Sequence, residues 1–310
     1  MNDIILIRDV PRALVDDAIK DLAQYTIAFL HVENVANRQQ VDLLGSGVLV
    51  SVGNTRAILT AHHVVQVLPR TGRLGLLLER TRQPHTIDTQ GAAFLEIARG
   101  TQDALGPDLG AVVLAQPIAS SIASIKTFYN LDARRDQLLH SPPDLRDGVW
   151  IAQGFLEERT VITPDPDGRG MTKGFYNFSG VGGPEDVGQI GEHDYFEFPV
   201  SHEARQTSPR SWGGMSGGGL WQIPLKRQRS GLVHLTPLLS GILFYQQPTT
   251  DTECGVRGHG RRSDPRSGPR NSRAIGCSRS DRLRHRANDP VRAIGNEPTR
   301  DDRRDRGSRG

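Results

Sequence analysis

Cysteine is nearly absent from this chain. Its 310 residues hold two, Cys254 and Cys277, both late. One pair cannot build a disulfide framework, and the spacing matches no zinc pattern, so both are read as reduced thiols. Long apolar runs are lacking too: no stretch approaches the roughly 20 consecutive apolar residues of a membrane-spanning helix. The first 30 residues mix acids and bases among apolar side chains. They lack the basic start, unbroken apolar run and small-residue cleavage site of a secretory signal, so the expected location is the cytoplasm. Histidine pairs at metal-ligand spacing, such as His-Glu-x-x-His, are missing. The glycine-rich segments lack the lysine and Ser/Thr of a phosphate cradle. No metal and no cofactor is expected.

The net charge of +3 is unevenly spread. Residues 264–310 carry 13 Arg, 6 Asp and 1 Glu. That is an excess of about six positive charges, so the remainder is slightly acidic. Basicity is a property of the tail and gives no reason to expect specific nucleic-acid binding. No aromatic residue follows Tyr245, and aliphatic residues thin out from Asp264 onward. A segment of that composition cannot bury enough apolar surface to offset its ordering entropy. Two readings stay open for residues 263–310: a disordered basic tail, or an out-of-frame ending.

What is plentiful is glycine (34 residues) and proline (19), among short apolar runs. This pattern suits an all-β fold of many short strands joined by turns. Strands are expected at Thr26 to Val32, Gly47 to Val52, Ala57 to Thr60, Arg73 to Leu78, Ala92 to Ile97, Leu109 to Leu114, Val149 to Phe155, Tyr195 to Val200, Gly218 to Gln222, Leu232 to Leu238 and Gly241 to Tyr245. Residues 12–22 show helical spacing, and Ala119 to Asn130 is read as a second helix. Residues 168–188 read as a loop or irregular hairpin.

Three segments bear on chemistry. Leu59-Thr60-Ala61-His62-His63-Val64 places a histidine just after a strand, where the sheet fixes its backbone and the ring can face a cleft. Gly106-Pro107-Asp108-Leu109 places a carboxylate at the start of a strongly apolar strand, where it can orient an imidazole. Ser211 to Trp221 contains Gly213-Gly214-Met215-Ser216-Gly217-Gly218-Gly219. A serine among glycines lets backbone N–H groups converge on a developing oxyanion. The order is His, Asp, Ser, with gaps of about 45 and about 108 residues, an order found in one of the known triad lineages.

LTAHHV resembles the L-T-A-A-H segment of the trypsin-like (chymotrypsin-fold) serine proteases. PDLGAVVL resembles their D-[IL]-A-[LV]-[LV]-x-L segment, and GGMSGGGL their G-[DN]-S-G-G-P segment. The resemblance, taken as to the bacterial type, covers about residues 24–262. It implies two packed six-stranded antiparallel barrels, about 24–117 and 140–262, behind an N-terminal extension of residues 1–23. His63 rather than His62 would be the base, Asp108 rather than Asp103 its orienting acid, and Ser216 the nucleophile. Gly214 and Ser216 would form the oxyanion hole, and Arg210, Gly241 and Phe244 the substrate pocket. Arg210, if it points inward, would favour acidic or polar side chains. Met215 stands where zymogen-type members carry the Asp that pairs with a freed N-terminus, so activation by N-terminal cleavage is not expected. Gly219 stands where proline is usual. The implied function is a serine endopeptidase acting on a protein or peptide, with no membrane partner. The alternative is a catalytically silent module of the same fold that binds a peptide or protein in the cleft.

Overall fold

Short, largely apolar runs separated by turns build this chain into two antiparallel sheets, and several of their strands are buried along nearly their whole length. The structure, a computed structural model, describes residues 9–35, 38–78, 85–100, 106–164, 171–183, 186–190, 193–201, 209–229, 231–246, 253–260 and 292–294. It opens with helix α1 (Arg12–Ala23), which buries Val15, Ala18, Ile19 and Leu22 on one side. Strands β1 (Thr26–Val35), β2 (Arg38–Val52) and β3 (Thr55–Thr60) follow, then a short helix α2 (His62–Val67), β4 (Arg73–Leu77), β5 (His85–Asp88), β6 (Ala92–Arg99) and β7 (Asp108–Leu114). The first sheet runs β5-β4-β1-β2-β3-β7-β6.

Helix α3 (Gln116–Ala123), the two-residue β8 (Tyr129–Asn130) and helix α4 (Leu131–His140) lead to the second sheet. β8 joins the first sheet in parallel beside β2. Strands β9 (Val149–Phe155), β10 (Val161–Pro164), β11 (Met171–Gly174), β12 (Asn177–Gly182), β13 (Asp186–Ile190) and β14 (His193–Ser201) come next. β15 (Gly219–Ile223), β16 (Leu225–Gln228), β17 (Gly231–His234), β18 (Leu238–Gln246), β19 (Glu253–His259) and β20 (Arg292–Ile294) complete the described elements. The second sheet runs β13-β14-β19-β18-β15-β9-β12-β20. β10 with β11, and β16 with β17, form separate hairpins.

The chain is therefore all-β, built on two curled antiparallel sheets, as the trypsin-like resemblance implies. Shared cores join the sheets. Val48, Val50 and Leu109 of the first pack in one cluster with Ile151, Trp221 and Ile242 of the second. Trp150, Trp221, Phe29, Phe196 and Phe198 are among the largest fully buried side chains. Each such side chain contributes roughly 1.5–3 kcal/mol by leaving water.

Some expectations need correction. The second helix starts at Gln116-Pro117, with proline preorganising its first turn, and stops at Ala123 instead of reaching Asn130. Leu232 to Leu238 is not one strand: β17 ends at His234 and β18 starts at Leu238, with Pro237 between them. Residues 171–182, expected in a loop or irregular hairpin, are mostly the strands β11 and β12, which pair with β10 and β9. Apart from Arg292–Ile294, which pair with β12, the tail after Gly260 lies outside the described residues. No described helix is long and apolar enough to cross a membrane.

Candidate active site

His63 sits in the first turn of α2, which starts straight after β3. Periodicity buries His62, Val64 and Val65 and leaves His63 and Gln66 facing outward. Helix and strand can approach because residue 110 is glycine: a Cβ there would lie 2.6 Å from a Val65 methyl and 3.3 Å from the His62 Cα. That seat sets α2 against β7, whose first residue is Asp108.

The Asp108 carboxylate grips His63 twice. Its Oδ1 accepts the His63 backbone N–H at 2.9 Å, and its Oδ2 lies 2.5 Å from the ring Nδ1. Burial pushes the Asp108 carboxyl upward. The ring hydrogen bond to His63, the charge on that ring and its backbone N–H outweigh this, so the acid ends below its ordinary value. An ionised carboxylate on Nδ1 favours the tautomer with its proton there and leaves Nε2 a free lone pair. His62 is different: it is buried, and its Nε2 faces the Glu96 carboxylate at 3.2 Å without hydrogen-bond alignment. Asp103 lies outside the described residues.

The serine loop can be read by asking where its backbone groups go. The Trp212 carbonyl accepts from Met215 N at 3.0 Å, and the Gly213 carbonyl from Glu157 N at 2.9 Å. The Gly214 carbonyl accepts from the Ser46 hydroxyl at 2.7 Å. The Met215 and Ser216 carbonyls accept from Gly218 N and Ser46 N, each at 2.8 Å. Gly217 N donates to the Leu243 carbonyl at 2.8 Å. Trp212 N and Gly213 N go to the Gln246 and Ser211 side chains. Among the described residues, the N–H groups of Gly214 and Ser216 alone, of those from 212 to 218, make no hydrogen bond. The turn needs glycine at 214 and 217, with φ +89° and +88°.

This loop abuts the histidine segment. A Cβ at Gly217 would overlap the hydroxyl of Thr60, the last residue of β3, and a Cβ at Gly45 would lie 2.8 Å from Val64 and 3.2 Å from the Ser216 carbonyl. Among the described residues, neither the Ser216 hydroxyl nor His63 Nε2 makes a hydrogen bond, to each other or elsewhere. The structure thus joins His63 to Asp108 directly and brings the serine loop against Thr60 and Val64, which flank the histidine segment. Met215 is buried with Trp150, Phe178 and Trp212, where it offers no partner to a freed N-terminus. At Gly219 a Cβ would overlap the Trp221 indole nitrogen, so the proline of the family pattern has no room.

A cavity of about 120 Å³ opens beside Ser216. Trp212, Met215, Leu243, Phe244 and Val256 line it, with Gln246 as a polar member. Of the three expected pocket residues, only Phe244 is there. Gly241 is buried in β18 against the His259 carbonyl. Arg210 is exposed, its backbone held by Glu158 and Gln246. The lining is apolar and gives no reason to expect an acidic side chain in it.

His259, at the end of β19, was not legible as a site residue. It is buried between Phe244 and Tyr195, with centroids 4.7 and 5.7 Å away, and its Nε2 accepts the Asp108 N–H at 3.1 Å. Its Nδ1 has no hydrogen-bond partner among the described residues. Burial lowers this histidine from 6.5 to about 4, against the charge of Asp108, which raises it. The unfolded chain therefore takes up the proton first as pH falls. Stability from a neutral His259 is complete above pH 6.5 and is lost between 6.5 and about 4. The shift corresponds to about 3 kcal/mol. Denaturant titrations across this window should show that loss in the wild type and a flatter profile in His259→Gln. Equal slopes would contradict a buried neutral His259.

No family model matches this sequence, and no curated protein does. Solved structures resemble it at low identity. One is a chain from a study of coupled folding and binding of the intrinsically disordered Sesbania mosaic virus VPg protein, 11% identical, covering 86% of this chain and 96% of its own, with TM-score 0.37. The tobacco etch virus protease complexed with product is 10% identical, covers 77% and 74%, and scores 0.34. The tobacco vein mottling virus protease is 10% identical, covers 76% and 77%, and also scores 0.34. These three are viral, so they lend nothing to a bacterial type. At such identities and scores they carry neither mechanism nor substrate to this chain.

Proposed function

We propose that this chain is a serine endopeptidase of the trypsin-like kind. The observation that carries the reading is a carboxylate-held imidazole, His63 on Asp108, beside a serine loop whose unbonded N–H groups are those of Gly214 and Ser216. Ser216 Oγ attacks the scissile carbonyl carbon while His63 Nε2 takes its proton. The carbonyl oxygen becomes an oxyanion held by the Gly214 and Ser216 N–H groups. The tetrahedral adduct collapses to an acyl-enzyme as the imidazolium protonates the departing amine. Water then attacks the ester with His63 again as base. An unbonded serine and imidazole is compatible with this scheme, because such bonds commonly tighten only when substrate closes the cleft.

The apolar cavity beside Ser216 makes an apolar side chain the preferred residue before the cleaved bond. Burying a carboxylate there would leave a charge without a partner. Incubation with a peptide library, read by mass spectrometry, should show cleavage after residues of leucine, methionine or phenylalanine size. Preference over aspartate or glutamate should be on the order of 100-fold. A wild-type protein that cleaves no peptide would remove this reading. The lack of a Ser216–His63 hydrogen bond favours one rival, a silent module that holds a peptide in the cleft. Peptide bound intact, without hydrolysis, would establish it.

A further inference from the structure

Ser46 lies in β2, in the first sheet, yet it holds the serine loop at two points. Its N–H donates to the Ser216 carbonyl at 2.8 Å, and its hydroxyl to the Gly214 carbonyl at 2.7 Å. The same hydroxyl accepts the Phe155 N–H at 2.8 Å, at the end of β9 in the second sheet. Its carbonyl accepts the Thr60 hydroxyl at 2.7 Å. Ser46 is fully buried, and every polar atom it has is used. Few side chains could take its place: a Cβ on Gly154 would already lie 2.8 Å from the hydroxyl.

Gly214 is the weak point of the loop. At φ +89°, a residue without Cβ reaches alternative backbone conformations at little cost. A peptide flanking it can then rotate and turn a carbonyl toward the place an oxyanion would occupy. Two anchors oppose this. Glu157 N–H holds the Gly213 carbonyl, and the Ser46 hydroxyl holds the Gly214 carbonyl. Met215, with its apolar side chain in the core, leaves no acid here for an activating ion pair.

We propose that the Ser46 hydroxyl is a positioning residue for the oxyanion site, fixing the Gly214–Met215 peptide so that the Gly214 and Ser216 N–H groups stay aimed together without any activation cleavage. This rests on the endopeptidase reading above. Without the hydroxyl, the half-buried Gly214 carbonyl and the buried Phe155 N–H are left unsatisfied, and the loop gains by rotating toward water. The loss falls on the charge of the transition state rather than on substrate contacts, which lie in the apolar cavity.

The test uses the full chain as wild type, Ser46→Ala and Ser46→Cys. It measures kcat and KM on a peptide the wild type cleaves, the inhibition constant of the matching peptide aldehyde, and thermal midpoints. The aldehyde forms a tetrahedral adduct on serine, so its affinity reports the oxyanion site. Ser46→Ala should lower kcat about 100-fold, hold KM within about twofold, and weaken the aldehyde by the same factor as kcat. Ser46→Cys, a weaker donor of nearly the same shape, should fall between; if the alanine variant does not fold, the cysteine variant carries the comparison alone. An active wild type with unchanged kcat in the folded variants overturns this inference alone, as does a rise in KM that matches the loss of aldehyde affinity. A wild type that neither cleaves peptide nor binds aldehyde overturns the endopeptidase reading and this inference with it.

Discussion

Ser216→Ala is expected to lower kcat by about a million-fold, with substrate affinity and fold unchanged. The magnitude follows from removing the nucleophile from a constellation that acts as a unit, as nucleophile deletion in subtilisin shows. Stability should hold because the loop is fixed through its backbone. The Ser216 carbonyl still accepts from Ser46 N, and its neighbours Gly217 N and Gly218 N keep their bonds. The Ser216 hydroxyl has no hydrogen-bond partner among the described residues, so its removal leaves none unsatisfied. On the proposed mechanism a residual rate above uncatalysed hydrolysis is expected from the two N–H donors and the cavity, as in triad enzymes stripped of a member. The check is steady-state kinetics with thermal melting. A variant retaining more than a few per cent of wild-type kcat would mean that another group attacks the carbonyl.

Asp108→Asn should cost about 10⁴ in kcat while leaving the backbone geometry nearly as it is. The reason lies in the double grip on His63. The asparagine oxygen can still accept the His63 backbone N–H, which the wild-type Oδ1 accepts at 2.9 Å. Its amide NH₂ then faces Nδ1 where Oδ2 had been, at 2.5 Å. An NH₂ can only donate there, so Nδ1 must become the acceptor and the ring proton moves to Nε2. The imidazole would then point a proton, not a lone pair, toward the serine. The imidazolium of the transition state would lose its counter-charge as well. The Asp108 N–H bond to His259 does not involve the altered group and should persist. The measurement is kcat across pH with a structure of the variant. A modest loss, of tenfold or less, would mean that His63 is not the base.

The pattern of legible and illegible elements has physical causes. β9 runs over Val149–Phe155, the same residues that the apolar run between turns indicates, because a strand buried along its whole length is mostly apolar; its one polar side chain, Gln153, bonds to Thr26, Ile19 and Ser179. β2 is longer than expected because Arg38 to Asp42 are mostly polar, and pairing with β1 extends them where no side-chain pattern asks for it. Helix α4 buries only Leu131 and Arg134, so it carries no apolar stripe, and only its Asn130 cap marks the start. β19 lies in a stretch rich in glycine and charge, and neighbouring strands on both sides hold it in place.

The candidate site divides in the same way. His63, Asp108 and Ser216 stand in local patterns of strand, turn and glycine that can be read along the chain. Ser46 and His259 reach the candidate site through contacts that span 168 and 151 residues. No local pattern announces such contacts. The pocket shows the cost of reading register from one loop. Arg210 counts back correctly from Ser216, yet its backbone is tied to Glu158 and its side chain is left in solvent. The cavity beside Ser216 is lined instead by the apolar faces of Trp212, Met215, Leu243 and Val256.

Reaction of the full chain with a fluorophosphonate, followed by peptide mapping, addresses the proposed cooperation of imidazole and serine most directly. The account predicts a single adduct on Ser216 in the wild type, none in Ser216→Ala, and labelling slowed by orders of magnitude in His63→Ala and Asp108→Asn. An adduct on another residue, or equal labelling rates in wild type and His63→Ala, would contradict it.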